Sequence, residues 1–274
     1  MSSAQLGVPP CEGVEVPDEV RSRGFDLERV LEAYATHGYA RLGPVLGEDE
    51  LVPLRARADA LMLGEVRHPG MFFQRDTETG RYQDLHFKRG WEGPTLNYRK
   101  LEKLEKDPVF RRAIEHPIFE RVARWLIEGD VVIYRAALFN KAAQGGTVLP
   151  WHQDGGSYWG LDRDPALQIW LGLDDAPEDG GCVEVLPGTH TGGLATPLGG
   201  MIPRDIVSTR DVDRDKVRLP ARAGEAILIH NYLWHGSGVN KTGRARRALS
   251  VCYMSAATRC LRTKRAPRVF TRVF

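Results

Sequence analysis

The sequence predicts a mainly β fold with flanking α-helices, its β part an antiparallel sandwich or jelly roll of the cupin-like kind. Three observations carry this. After Gly129, short β-rich runs follow one another ("VVIYRAALF", "LQIWLGL", "CVEVL", "EAILIH" and "RALSVCYM"), separated by clusters of Gly, Pro and Asp. No helical pattern comes between them, as parallel strands with crossover helices would require. Before Gly129 the apolar residues recur at helical spacing instead.

Residues 1–24, with Pro9, Pro10 and Pro17, read as an extended or poorly ordered arm, and the fold is expected to begin near Phe25. "DLERVLEAYATHG" places Leu27, Val30, Leu31 and Ala35 on one helical face and stops at Gly38. "EDELVPLRARADALMLG" repeats the pattern with Leu51, Leu54, Ala58 and Leu61. Asp107-Pro108 and His116-Pro117 mark two more helix starts, because proline suits a first helical position. The expected organisation is a single domain over 25–274: a helical part to about 128, a β-barrel over about 129–255 and a basic C-terminal tail.

The 274 residues suit one elaborated domain, and 42% hydrophobic with 27% charged residues is a soluble globular balance. No apolar run approaches the ~18 residues that a membrane helix needs. Cys11, Cys182, Cys252 and Cys260 are dispersed with no CxxC pair, which argues against a zinc knuckle or a disulfide framework. With no leader-like N-terminus and no peroxisomal tripeptide at the end, a cytoplasmic location is expected. The formal charge of +2 is uneven: Arg244 to Phe274 holds nine Arg or Lys and no acid, leaving −7 on the first 243 residues. The tail "RCLRTKRAPRVFTRVF" reads either as a solvated basic segment or as a charge near an active-site mouth that favours an anionic substrate. It lacks the recognition motif and interleaved aromatics of a nucleic-acid binder, so no nucleic-acid partner is expected. Oligomeric state is left open.

The chemistry centres on "PWHQDGGSYWG". Residues i and i+2 of a strand share a face, so His152 and Asp154 can converge on one ion. The run "LIHNYLWHGSGVNKTGRARRALSVCY" offers His230 and His235 as a third ligand. Two imidazoles and a carboxylate on one face of an octahedron leave three positions open, the arrangement of non-haem Fe(II) oxygenases, where a bidentate 2-oxo acid and dioxygen can both bind. Such a co-substrate needs a partner for its distal carboxylate. Arg246 fits by strand phase, sharing a face with the small residues Ala248, Ser250 and Cys252.

"WHQD", "GCVEVLPGTH" and "HGSGVNKTGRARRALS", with "LFNK" ahead of them, resemble the phytanoyl-CoA dioxygenase family of Fe(II)/2-oxoglutarate-dependent oxygenases over roughly Tyr98 to Met254. The resemblance implies a double-stranded β-helix core and an enzyme that uses Fe(II), 2-oxoglutarate and O2 to hydroxylate or otherwise oxidise a small molecule, releasing succinate and CO2. It implies iron ligation by His152, Asp154 and His235, a 2-oxoglutarate carboxylate on Arg246, and Gln153, Trp170 and Ser237 around the co-substrate. Trp170 suits this independently, since it lies with Gln168 on the less apolar face of "ALQIWLGL". Gln153 is harder, because alternation turns it away from the metal. Lys100 matches a co-substrate-binding lysine or is one more solvated helical lysine beside Lys103 and Lys106. Two departures stand out: Ala137 replaces a methionine near the co-substrate, and the loop from Lys141 to Pro150 is this chain's own.

His230 reads as a pocket or core histidine, and His190, in "PGTH", as structural. The mixed stretch "MFFQRDTETGRYQDLHFKRGWEG" suits a lid or substrate wall. Phe73, Gln74, Tyr158 and Trp159, with His230, are the expected substrate-facing residues. Two other functions fit the same residues: a cupin-like metal-dependent isomerase or lyase, and a catalytically silent jelly-roll binding protein. The substrate is not legible.

Overall fold

The computed structural model describes residues 26–86, 90–143, 146–263 and 268–274. The expected N-terminal arm and Cys11 lie outside them. Asp26 caps α1 (Leu27–His37) by accepting from the Arg29 amide at 3.2 Å, and Gly38, at φ 80°, closes it. β1 (Tyr39–Pro44) leads to α2 (Glu48–Leu63), which ends at Gly64. β2 (Phe72–Arg75) and β3 (Tyr98–Glu102) follow, then α3 (Pro108–Ile114) and α4 (Pro117–Leu126), with proline first in each.

The β-rich runs form β4 (Val131–Lys141), β5 (Leu149–Gln153), β6 (Leu167–Gly172), β7 (Val183–Leu186) and β8 (Gly200–Met201). Two one-turn helices, α5 (Arg204–Val207) and α6 (Val212–Asp215), precede β9 (Val217–Leu219), β10 (Glu225–His230), β11 (Trp234–Ser237) and β12 (Arg246–Ser255). A final pair of residues, β13 (Thr271–Arg272), returns to pair with β4.

All pairings are antiparallel, in two facing sheets. The larger runs β1-β10-β6-β12-β4-β3-β2, with β13 added on β4; the smaller runs β8-β5-β11-β7-β9. This is the jelly roll that the strand pattern predicts. Strand phase divides the large sheet into two faces. Leu167, Ile169, Leu171, Leu249, Val251 and Tyr253 turn outward into a core shared with the four long helices. Trp170, Ile227, Ile229 and Ala248 turn inward and pack with Val183, Val185 and Leu219 of the small sheet.

The stretch expected to be helical up to about residue 128 carries β1, β2 and β3, three strands of the large sheet. β3 reads "YRKLE", and its paired charges imitate a helix face. On the strand Lys100 and Glu102 instead share one side, 2.5 Å apart.

Asp107 anchors the helical layer. Its Oδ1 accepts from the Val109 and Phe110 amides at the start of α3, and its Oδ2 meets Arg57 Nη1 at 2.9 Å and His68 Nε2 at 2.8 Å, all with the side chain fully buried. Burial pushes the carboxyl pKa up, but these hydrogen bonds more than offset it and hold it below the ordinary value. Its stabilisation is therefore complete at neutral pH and is lost as the pH falls below about 4. Asp107→Ala is expected to cost roughly 3 kcal/mol or more in urea denaturation at pH 7, because it strips a buried cap and two partners at once.

Candidate metal centre and active site

β5 and β11 are neighbours, and their register places His152 directly opposite His235. The two rings lie 4.0 Å apart by centroid. Each is fixed in the same way: Nδ1 of His152 lies 2.9 Å from the Pro150 carbonyl, and Nδ1 of His235 lies 2.8 Å from the Leu233 carbonyl, in each case two residues back along the chain. A carbonyl can only accept, so both Nδ1 atoms carry the proton and both Nε2 atoms present lone pairs. Burial first, and then His235, push the His152 pKa down to about 3, so the ring is neutral at physiological pH.

Asp154 completes the group. Ligand atoms of His152, Asp154 and His235 lie within 4.8 Å of one another, and all three residues are buried. Asn231 holds the Asp154 backbone from both sides: its carbonyl accepts from the Asp154 amide at 2.8 Å and its Nδ2 donates to the Asp154 carbonyl at 2.9 Å. Arg135 Nη2 donates to Asp154 Oδ2 at 2.9 Å. Burial alone would raise the Asp154 pKa, yet Arg135, with the two histidines, holds it well below the carboxylate range. Two imidazoles and one ionised carboxylate fit a ferrous ion by donor type and charge.

Gly156, behind Asp154, and Gly199, which faces it, have a steric reason. Gly156 lies at φ 84° and a Cβ there would stand 2.6 Å from the backbone of Leu198; one on Gly199, at φ 70°, would stand 1.9 Å from the Gly155 carbonyl oxygen. The loop after the carboxylate is thus pressed backbone to backbone against residues 197–199, with the Ser157 and Tyr158 amides donating to Pro197 and Leu198. Gly199→Ala is expected to destabilise the protein by at least about 2 kcal/mol in chemical denaturation and to loosen metal binding with it.

The triad opens into a cavity between the two sheets. Arg246, Trp170, Gln168 and Ser250 line it, as their strand phases predict, and so does Ser237, which the family resemblance implies. The Arg246 guanidinium is buried at 3% exposure, its Nη2 donates to the Gly181 carbonyl at 2.6 Å, and its Nε is buried with no partner. Desolvation lowers its pKa to about 10, so it remains a cation. Such a guanidinium lacks an oxyanion. Lys141, its cross-strand partner, also lines the cavity and donates from Nζ to the Thr147 carbonyl at 2.7 Å. Burial, and then Arg246, push the Lys141 pKa well below the ordinary value.

Other expected residues stand elsewhere. Gln153 does not line the cavity: its Nε2 donates to the Gly193 and Tyr232 carbonyls and its Oε1 accepts from the Ala195 amide, as strand alternation requires. Lys100 lies on the strand beside the cavity-lining Phe139, with its ammonium turned to Glu102. His230 is a packing histidine, tilted against Tyr34 and His190, while its neighbour Ile229 turns into the cavity. His190 in turn meets the Ala35 carbonyl. Phe73 packs edge-on to Tyr98 in the core shared with the helices. Gln74 is buried one bond away from the cavity, accepting from Arg99 Nη1 at 3.0 Å. Trp159 stacks on Tyr134 at 4.1 Å and backs Arg135, whose guanidinium carbon lies 5.2 Å from its ring centroid; Tyr158 beside it is 67% exposed.

The family model described as phytanoyl-CoA dioxygenase (PhyH) matches residues 34–248. The chain belongs to this family. Phytanoyl-CoA dioxygenase domain-containing protein 1 of Bos taurus is 31% identical over 160 residues, which cover 55% of this chain and 54% of that protein, so the chain spans about half the length of that family relative. Two solved structures share the fold. EctD from S. alaskensis, solved with 2-oxoglutarate and 5-hydroxyectoine, superposes with a TM-score of 0.68 at 21% identity, over 88% of this chain and 81% of its own. The epimerase SnoN, in complex with Fe3+, alpha ketoglutarate and nogalamycin RO, gives 0.67 at 22%, over 88% of each chain.

Four residues of this phytanoyl-CoA dioxygenase family member escaped the sequence reading: Arg99, Arg135, Lys141 and Asn231. "LFNK" contains Lys141, and the inward phase of "VVIYRAALF" contains Arg135, so both signals were present in the strand alternation.

Proposed function

We propose that the protein is a non-haem Fe(II)- and 2-oxoglutarate-dependent dioxygenase that hydroxylates, or otherwise oxidises, a small molecule such as a biosynthetic intermediate, with release of succinate and CO2. The observation that carries this reading is the juxtaposition, in one cavity, of three buried metal-ligand side chains and a buried guanidinium with an unpartnered Nε.

In this reading His152 Nε2, Asp154 and His235 Nε2 hold the iron. Fe(II) with 2-oxoglutarate supplies the reduction of O2, coupled to decarboxylation of the 2-oxo acid and oxidation of the substrate. The protein's share is placement. The two carbonyl-locked imidazoles keep their lone pairs aimed at one point, and Asn231 and Arg135 fix the carboxylate between them. Arg246 takes the distal carboxylate, with Ser237 beside it and Trp170 walling the cavity. Burial keeps bulk water from competing for these donors. The cytoplasm is the proposed location, supported by the dispersed cysteines, of which Cys182, Cys252 and Cys260 are unpaired. Among the described residues no helix is long and apolar enough to cross a membrane.

Anaerobic titration of the reduced protein with Fe(II) and 2-oxoglutarate tests the reading. A weak visible charge-transfer band that needs both additions is the expected result. A silent binding protein gives none, and a metal-dependent isomerase or lyase gives none that responds to the 2-oxo acid.

A further inference from the structure

The cavity is lined by Arg99, Arg135, Lys141 and Arg246, while Asp154 is its single acid among the described residues. The substrate class can be read from this charge balance if the protein is the oxygenase proposed above, since a ferrous ion, the 2-oxoglutarate dianion, Asp154 and Arg246 then sum to zero. Lys100 is matched by Glu102 at 2.5 Å. Asp76, which accepts from the Thr147 amide at 3.2 Å, acts on both Lys141 and Arg99 and so offsets only one of the two. Arg99 and Arg135 remain, each a guanidinium in a largely desolvated setting.

Neither is saturated by the protein. Arg135, with a side chain 16% exposed, commits only Nη2, to Asp154 Oδ2 and to Gln168 Oε1 at 3.1 Å; its Nε is buried without a partner, and its Nη1 makes no hydrogen bond among the described residues. Arg99, at 8% exposure, commits only Nη1, to the neutral Gln74 Oε1, and its Nε and Nη2 make no hydrogen bond among the described residues. A buried guanidinium whose remaining donors meet no acceptor is costly to keep unless an anion arrives, and the carboxylate that Arg135 does have, Asp154, is shared with the metal site. Tyr82, 5.6 Å from the Arg99 guanidinium carbon, gives it only a cation–π contact.

Arg135 stands apart from the co-substrate clamp, whereas Arg99 reaches the cavity from the clamp's side, where it also acts on Lys141. Arg246 pairs across the sheet with Lys141 and Arg135 pairs with Cys252, six residues farther along β12, or about 20 Å of strand. We propose that the substrate is a small carboxylic acid and that Arg135 anchors its carboxylate, with Arg99 as the second cation facing it. Arg135 would then link substrate and metal through one guanidinium, with Nη2 on Asp154 and the Nε edge toward the substrate.

The test uses the protein loaded with Mn(II) and saturating 2-oxoglutarate, so that Arg246 is occupied, and follows the methyl proton line widths of acetate and of acetamide by NMR. Paramagnetic broadening of acetate that saturates, with acetamide at least tenfold weaker, is the expected result. Arg135→Gln and, independently of any metal ligand, Arg99→Gln should each raise the half-saturating acetate concentration at least fivefold. Equal broadening of acetate and acetamide overturns the proposal, as does a broadening unchanged in both variants, which would mean acetate on the metal itself. Inorganic phosphate is the competitor: displacement of acetate at tenfold lower concentration would replace the carboxylate by a phosphate and overturn the assignment as stated. The acetate titration is repeated without 2-oxoglutarate. If 2-oxoglutarate fails to bind while acetate still depends on Arg99 and Arg135, the oxygenase reading falls and the subsite stands; the converse sinks the subsite alone.

Discussion

Asp154→Asn is expected to lower Fe(II) affinity by at least about 100-fold and to remove succinate formation, since loss of an outer partner of a ligand already costs about 10–100-fold and here the ligand's own charge is lost. The substitution has a second effect that must be separated from the first. Arg135 loses the anion at 2.9 Å that keeps it paired inside the sheet. Breaking a buried pair from one side costs about 3–5 kcal/mol, an upper bound here because Asn retains a hydrogen-bond acceptor. Equilibrium dialysis against Fe(II), run beside urea denaturation of the apoprotein, resolves the two. A variant that kept wild-type iron affinity would remove Asp154 from the ligand set. Because the third ligand is a carboxylate and not a Gly or Ala, no coordination position is freed for a halide, and halogenation is not an expected activity.

Arg246→Ala should raise the 2-oxoglutarate concentration needed for half-maximal activity by at least about 30-fold, a loss of roughly 2 kcal/mol that corresponds to one charge-assisted hydrogen-bonded contact. Fe(II) affinity should be unchanged, because the guanidinium touches none of the three ligands. Arg246→Lys should recover only part of the loss: an ammonium keeps the charge but not the planar pair of donors. Full turnover and unaltered 2-oxoglutarate affinity in Arg246→Ala would sink the oxygenase reading and leave a metal enzyme that uses no 2-oxo acid. The cavity lysine next to it, Lys141, makes a milder control, since its Nζ already has the Thr147 carbonyl.

The barrel half of the fold was legible because its strands alternate cleanly. Leu167, Ile169 and Leu171 against Gln168 and Trp170 name both faces of β6, and Ala248 and Ser250 against Leu249 and Val251 do the same for β12. The same phase set Arg246 toward the cavity and turned Gln153 away from it. What escaped was β3, whose Lys100 and Glu102 satisfy a helical charge pattern as readily as a strand's, and with it Arg99, an inward cation that no local rule distinguishes from its neighbours. Arg135 escaped for a different reason. A lone arginine inside an apolar strand acquires meaning only once Asp154, nineteen residues later, folds back onto it.

The backbone carbonyls of Pro150 and Leu233 that clasp the two histidine rings carry a consequence for metal choice. Rings held by main-chain carbonyls offer the same two nitrogen lone pairs to any ion that enters, so the donor set has no means of its own to accept ferrous iron and refuse a rival. Donor chemistry alone then ranks the ions, and for nitrogen and carboxylate ligands that ranking puts copper, and nickel and cobalt too, ahead of Fe(II). Discrimination falls to the cell, which must present iron in excess of competing metals. Protein purified in air on a nickel resin should accordingly emerge occupied and inactive, and recover only after chelation and reloading with ferrous ion under reducing conditions.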